Sequence, residues 1–228
     1  MPAESLGERL ADVDSRIADA ARAAGRDPAE LTRIVVTKFH PPSLVRELYE
    51  LGVRDVGENR HQEAAAKAAE LTDLDLAWHF VGQLQSNKAR AVRRYASAVH
   101  SVDRPSLVEA LAAREPDDGV LDCFIELNLT DDAGRGGVLP ADADRLAEQV
   151  ASTSGLRLRG VMAVAPLDAE PRAAFAAVRA VSDRIQSLVP DASAISAGMS
   201  DDFAEAIAEG ATHLRIGTAI TGKRSTTG

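Results

Sequence analysis

The sequence predicts an α/β protein built as a single closed (β/α)8 barrel, with one extra helix at its N-terminus. Three observations predict it. Eight short apolar runs alternate with helical patterns along the chain. Strict β-α alternation implies parallel strands joined by right-handed crossovers. The 228 residues lie within the range of roughly 200 to 400 over which such barrels close. The first strand-to-helix turn, Lys38-Phe39-His40-Pro41-Pro42, carries none of the glycines that an open dinucleotide-binding sheet places there.

Taken in order, Leu6, Leu10, Val13 and Ile17 recur at spacings of three and four, one face of a leading helix. Gly25 suits the position just past it, and Asp27-Pro28 restarts the chain as an N-cap and first-turn pair. Ile34-Val35-Val36 is a β-branched run typical of a buried strand, stopped by Pro41-Pro42. Lys38 therefore stands at the C-terminal end of the first strand. Residues 42–51 read as a helix with Val45 and Leu48 inward and Gly52 as terminator. A short strand over 53–59 and a helix over 61–71 follow, then a strand over 76–82 and a helix over 86–94. Residues 98–102 form the next strand, and Asp103 is placed to cap the helix of Leu107, Val108 and Leu111. The longest strand-like run covers 120–129, followed by a helix over 140–151. A strand over 156–164 leads to the longest helix, 171–188, and to a brief strand over 194–197. Ser200 is placed to cap a helix carrying Phe203 and Ile207, closed by Gly210. Residues 213–216 make the last strand, and a short turn starts at Thr218. Residues 1–222 are expected to form one domain and 223–228 a disordered tail.

Composition excludes several classes. A net charge of −9 offers nucleic acid or an anionic membrane no general attraction. No run of about 18 apolar residues exists to span a bilayer. The N-terminal stretch is acidic throughout and lacks the apolar centre of a signal peptide, so the cytoplasm is the expected location. The single cysteine, Cys123, excludes an internal disulfide and a paired-cysteine metal site, and its apolar surroundings mark it as a core residue. The five histidines show no metal-binding spacing. Gly217-x-x-x-x-Gly222-Lys223 approaches a phosphate-binding loop, but Arg224 replaces the hydroxyl residue that motif needs. Lys88, Arg90, Arg93 and Arg94 read as one solvated basic helix face.

A barrel gathers its chemistry at the C-terminal ends of its strands. Here those ends are Lys38, Asn59, Gly82 with Gln83, Ser101, Asn128, Met162, residues 196–200 and residues 215–218. Lys38 has two readings: a snorkelling side chain, or an amine poised for Schiff-base chemistry by partial desolvation. Barrels often hold phosphate with the loops after strands seven and eight. Gly217, Thr218 and the hydroxyls of Ser196 and Ser200 are the donors there, while Asp201 and Asp202 set the helix after Ser200 against an anion.

The stretch Trp78-His79-Phe80-Val81-Gly82-Gln83-Leu84-Gln85-Ser86-Asn87-Lys88 resembles a signature of the YggS/PROSC family, the pyridoxal phosphate homeostasis proteins. So do Val36-Thr37-Lys38, the run from Gly57 to Glu63, Gly160-Val161-Met162-Ala163, Gly198-Met199-Ser200-Asp201-Asp202 and Arg215-Ile216-Gly217-Thr218, all in family order. The resemblance implies a TIM barrel of fold-type III, like the N-terminal domain of bacterial alanine racemase. It implies pyridoxal 5′-phosphate (PLP) held as a Schiff base on Lys38, with Arg215 at the pyridine nitrogen. Ser200, Gly217 and Thr218 would hold the phosphate, and Asn59, His79 and Met162 would line the ring pocket. Two positions depart from the family pattern: Gln83 stands where proline is common, and Arg135 takes the place of a lysine. The implied role is intracellular PLP homeostasis, buffering or delivering the cofactor to apo PLP-dependent enzymes, by a monomer with no catalytic residue assigned. The alternative is a PLP-dependent amino-acid racemase, which needs a second base; Tyr49 and Tyr95, the only tyrosines, fall on predicted helices away from the mouth.

Overall fold

The structure, a computed structural model, describes residues 4–113, 119–130, 132 and 134–222. The expected tail at 223–228 lies outside the described residues. Eight strands form: β1 (Thr32–Val36), β2 (Asp55–Glu58), β3 (Ala77–Phe80), β4 (Ala98–Val102), β5 (Leu121–Glu126), β6 (Leu156–Met162), β7 (Ala194–Ser196) and β8 (His213–Ile216). They pair in parallel and in sequence order, and β8 returns to β1 with Ile34 opposite Arg215 and Val35 opposite Ile216. The barrel is therefore closed, as the missing glycine fingerprint predicts.

Strand alternation splits the side chains into two sets. Val35, Val56, Phe80, Val99, Ile125, Val161, Ile195 and Leu214 face outward into one large core beneath the helices. Ala98, Phe124, Met162 and Ala194 form a small apolar cluster inside the barrel. Both faces are buried, so strands such as β1 and β5 carry continuous apolar runs, Ile34-Val35-Val36 and Cys123-Phe124-Ile125. Each fully buried Val, Leu or Ile contributes about 1.5–3 kcal/mol relative to exposure.

The helices are α1 (Leu6–Ala23), α2 (Pro42–Glu50), α3 (His61–Glu70), α4 (Ala89–Arg93), α5 (Pro105–Ala112), α6 (Ala143–Ser152), α7 (Pro171–Leu188), α8 (Phe203–Ala208) and α9 (Thr218–Thr221). The last spans only one turn and packs on β1, and helix α1 lies against α8 and α9. Its stripe of Leu6, Leu10, Val13, Ile17 and Ala21 is buried, and Arg9 Nε donates to the carbonyl of Ile220 at 2.7 Å. A reciprocal capping box between Ser5 and Glu8 starts it.

Three local expectations need correction. Ser200 does not cap α8; Asp202 holds that position, and its carboxylate accepts from Met199 N at 2.6 Å, closing the preceding turn. Asp103 does not cap α5; Arg104 is the N-cap, and the Asp103 carboxylate pairs with it at 2.5 Å. The basic helix is not one solvated face. Residues Ser86–Lys88 are a 3-10 turn, and Arg93 is buried, donating to the carbonyls of Leu111, Gly119 and Gly155 at 2.7–2.9 Å. That guanidinium ties the C-terminal end of α5, at Leu111, to the chain at Gly119 and Gly155. Cys123 is buried in the outer core, and burial pushes its thiol up to about 12, so it stays a protonated core residue. No helix among the described residues is long and apolar enough to cross a membrane.

Candidate functional site

The C-terminal ends of β1, β2, β3, β6, β7 and β8 surround a cavity of about 300 Å3. Its lining combines Val36, Val81, Val164 and Met199 with Lys38, Asn59, Ser200, Asp201, Arg215, Gly217 and Thr218. Six of the eight residues that the resemblance assigns to the cofactor thus meet in one place. The other two do not line it: His79 and Met162 are buried within the barrel.

The turn that carries Lys38 is braced from below. Lys67, on α3, is buried, and its Nζ donates to the carbonyl of Thr37 at 2.8 Å, to Glu58 Oε1 at 2.7 Å and to Glu63 Oε1 at 2.9 Å. Thr37 Oγ1 donates to the same Glu58 oxygen at 2.6 Å. Glu63 also accepts from the backbone N–H of Phe39. The residues on both sides of Lys38 are therefore held by one ionic cluster. Phe39 has φ 68°, the only non-glycine positive φ among the described residues. Left-handed backbone costs a residue with a Cβ roughly 1–2 kcal/mol and persists where surroundings enforce it. Burial raises the Glu58 carboxyl, and its bonds to Lys67 and Thr37 oppose that shift.

Arg215 reaches the cavity from β8 and is buried. Its Nη1 donates to the carbonyl and to the hydroxyl of Ser196, both at 2.7 Å, and Nη2 donates to the carbonyl of Ala163 at 2.9 Å. Burial lowers its pKa to about 10, so it stays cationic near neutrality. Ser196 is fully buried and absent from the cavity lining, so its hydroxyl serves Arg215 rather than an anion at the mouth.

Two further residues shape the site. Asn59 is placed by Gly82: a Cβ there would lie 2.2 Å from the Asn59 carbonyl oxygen, so only glycine lets β3 exit so close to β2. Asn59 Oδ1 is buried without a hydrogen-bond partner among the described residues, an acceptor left for something in the cavity. Gln83 packs over Gly136, beside Arg135, whose Nη2 lies 3.4 Å from the carbonyl of Val164. The two departures from the family pattern thus meet at one edge of the mouth.

Glu126, at the end of β5, was not singled out from the sequence. Burial pushes its carboxyl up to about 7, Asp103 adds to the shift, and Arg215 and Arg135 oppose it. Its Oε2 has no hydrogen-bond partner among the described residues. No sequence signal marks it beyond an acid at the last position of a buried strand, whose period-2 alternation turns it inward.

The family model described as alanine racemase, N-terminal domain, matches residues 18–225. The chain belongs to that family. It is 44% identical to the pyridoxal phosphate homeostasis protein of Pseudomonas aeruginosa, over 96% of this chain and 96% of that one. It is 41% identical to the protein of the same name from Mycobacterium tuberculosis, over 96% of this chain and 93% of that one. Among solved structures, PipY of Synechococcus elongatus, determined with PLP bound, superposes with a TM-score of 0.83 at 37% identity, covering 96% of this chain and 100% of that one. The alanine racemase-like barrel that the sequence resemblance implies is therefore the fold of this family member.

The cavity's polar groups fit PLP. A lysine, a buried guanidinium, an unpartnered amide oxygen and a hydroxyl-glycine-hydroxyl rim surround apolar walls, in a volume at the lower end of small-molecule sites.

Proposed function

We propose that this protein binds pyridoxal 5′-phosphate in the mouth cavity, as a Schiff base on Lys38, and serves PLP homeostasis by holding and delivering the cofactor. The observation that carries the reading is that Lys38, Arg215, Ser200, Gly217 and Thr218 line one cavity. The names of the relatives and the PLP-bound PipY support it. Bound PLP supplies an aldehyde for an amine and an electron-withdrawing ring. Lys38 offers the amine from a turn that Lys67, Glu58 and Glu63 hold in place. Ser200, Gly217 and Thr218 would hold the phosphate. Arg215 would face the ring nitrogen and disfavour its protonation, which would weaken the ring as an electron sink.

That choice at the ring nitrogen favours storage over turnover. So does the position of the tyrosines. Tyr95 follows α4, half-buried against His61 with ring centroids 6.0 Å apart, and Tyr49 lies on α2 beneath the Arg54 guanidinium; neither lines the cavity. A racemase needs a second base across the ring from the lysine, and neither tyrosine is placed for it. The reading extends to residues 1–222 acting as one cofactor-binding domain, in the cytoplasm, as a monomer, with apo PLP-dependent enzymes as recipients. Two assays on the PLP-loaded protein test the function. The reading expects transfer of PLP to an apo-enzyme and only background exchange of the α-hydrogen of alanine in heavy water. Exchange at turnover rates, without transfer, would overturn it in favour of the racemase.

A further inference from the structure

Inside the barrel a single file of hydrogen bonds runs from the mouth to the opposite end. Arg215 Nη1 lies 2.7 Å from Ser196 Oγ. Ser196 Oγ lies 2.8 Å from His100 Nδ1, and His100 Nε2 lies 3.0 Å from His79 Nδ1. His79 Nε2 lies 2.9 Å from Asp55 Oδ1. Asp55 is the first residue of β2, at the N-terminal end of the barrel, and its side chain is 33% exposed. The file therefore links solvent at one end to the cavity at the other.

The two ends fix the direction of every bond between them. A carboxylate only accepts and a guanidinium only donates. Asp55 accepts, so His79 carries a proton on Nε2. A neutral His79 then has a lone pair on Nδ1, and His100 must donate from Nε2. A neutral His100 has a lone pair on Nδ1, and the Ser196 hydroxyl must donate to it. That leaves the lone pairs of Ser196 Oγ for Arg215. Full burial holds His100 well below the usual histidine range, with His79, Arg215 and His213 adding to the effect, which keeps this ring neutral.

We infer that Asp55, His79, His100 and Ser196 form a tautomer-coupled relay through the barrel, in which the protonation of His79 is transmitted to the hydroxyl that positions Arg215. When His79 takes up one proton, both its nitrogens donate. His100 must then accept at Nε2: the proton there passes to His79 Nδ1, the Ser196 Oγ proton passes to His100 Nδ1, and the proton taken up restores the Ser196 hydroxyl. That hydroxyl now receives a bond from His100 instead of donating one. The net uptake is one proton, on His79; His100 and Ser196 are neutral in both states. His79 and His100 are positioning residues for Arg215, not lining residues of the cavity.

The charges that face this file are few. His213, on β8, lies beside His100 with ring centroids 6.3 Å apart, and burial brings it down to about 4, so it stays neutral through the range of interest. Phe124, on β5, stacks on His100 at 4.2 Å and carries no charge. Arg159 on β6 and Asp122 on β5 act on His213 from the N-terminal end, with opposite signs. Glu126 and Asp202 act on Arg215 from the mouth. Asp55 is the only carboxylate hydrogen-bonded to either relay histidine among the described residues.

The experiment reads ring protons directly, in 15N-histidine-labelled protein without cofactor, by two-bond 1H–15N correlation. At neutral pH both His79 and His100 should carry their proton on Nε2. As pH falls, His100 should move its proton from Nε2 to Nδ1 with the same midpoint at which His79 becomes doubly protonated. A His100 that keeps one tautomer through that titration, or that carries its proton on Nδ1 at neutral pH, overturns the relay. No variant is needed for this arm, so a folding defect cannot confound it. The link to the cofactor rests on the proposed Arg215–ring contact and has its own arm. The absorbance of the PLP-loaded protein should titrate with the His79 midpoint, and His79→Gln should abolish that step. If the tautomers couple but the absorbance ignores His79, the transmission to the cofactor is overturned while the relay stands. Whether PLP sits on Lys38 is read separately, from the adduct.

Discussion

Lys67 Nζ lies 2.8 Å from the carbonyl oxygen of Thr37, the residue immediately before Lys38. A buried ammonium thus anchors the backbone of the turn that presents the candidate Schiff-base lysine. Its partners Glu58 and Glu63 are the residues that also hold Thr37 Oγ1 and Phe39 N. Removing one member of a buried ionic cluster leaves the others unpaired, at a cost of about 3–5 kcal/mol. Lys67→Met should therefore lower stability by that amount in urea unfolding. Glu63→Gln should cost less and leave PLP binding measurable, because its amide oxygen still accepts from the Phe39 N–H. Equal stability of Lys67→Met and the parent would contradict the brace.

Gly82→Ala tests how Asn59 is placed. The added methyl would lie 2.2 Å from the Asn59 carbonyl oxygen, so β2 and β3 must separate at the mouth. Overpacking of this kind costs about 1–3 kcal/mol. The variant should lose PLP affinity along with that stability, as measured by cofactor titration and thermal unfolding.

Glu126 gives stability a pH dependence whose sign follows from its raised pKa. A carboxyl held at about 7 in the fold and 4.5 unfolded contributes most below pH 4.5 and loses that contribution as pH rises through 7. Each pKa unit is worth about 1.4 kcal/mol, so the loss reaches roughly 3 kcal/mol. Glu126→Gln should flatten this slope between pH 4.5 and 7 in denaturant titrations and be relatively more stable than the parent at pH 8. An unchanged slope would place the carboxyl in water.

Arg215→Lys tests whether geometry or charge matters at the ring end of the cavity. The guanidinium serves three acceptors, Ser196 O, Ser196 Oγ and Ala163 O, from two nitrogens, a fork that an ammonium cannot reproduce. Each charge-assisted bond lost costs about 1.5–3 kcal/mol. The lysine variant should be clearly less stable than the parent and should shift the absorbance of bound PLP. A variant with parental stability and spectrum would reduce Arg215 to a point charge.

The barrel was legible because its information is local. Apolar runs, β-branching and turn residues recur along the chain, and α7 begins and ends where its pattern does, at Pro171 and Leu188. The mouth was legible because a barrel converts strand ends into neighbours, which brings Lys38 to Arg215 across most of the sequence. Three kinds of feature were not. Caps chosen between adjacent candidates, such as Ser200 against Asp202, depend on how the preceding turn closes. Arg93 reads as one more surface cation because charge patterning does not reveal which backbone carbonyls the fold brings within its reach. His79 was assigned to the ring pocket by resemblance, yet its position on β3 turns it onto Asp55 and His100, deeper in the barrel. Strand alternation places it inside, but depth along the axis depends on register, which only the closed sheet supplies.

Whether Lys38 carries the cofactor is read from the covalent adduct. The protein is incubated with PLP, reduced with borohydride, digested and mapped by mass. The account predicts a single stoichiometric pyridoxyl adduct, on the peptide containing Lys38, that disappears in Lys38→Ala. An adduct of equal yield in Lys38→Ala, on Lys67, Lys88 or elsewhere, would contradict it.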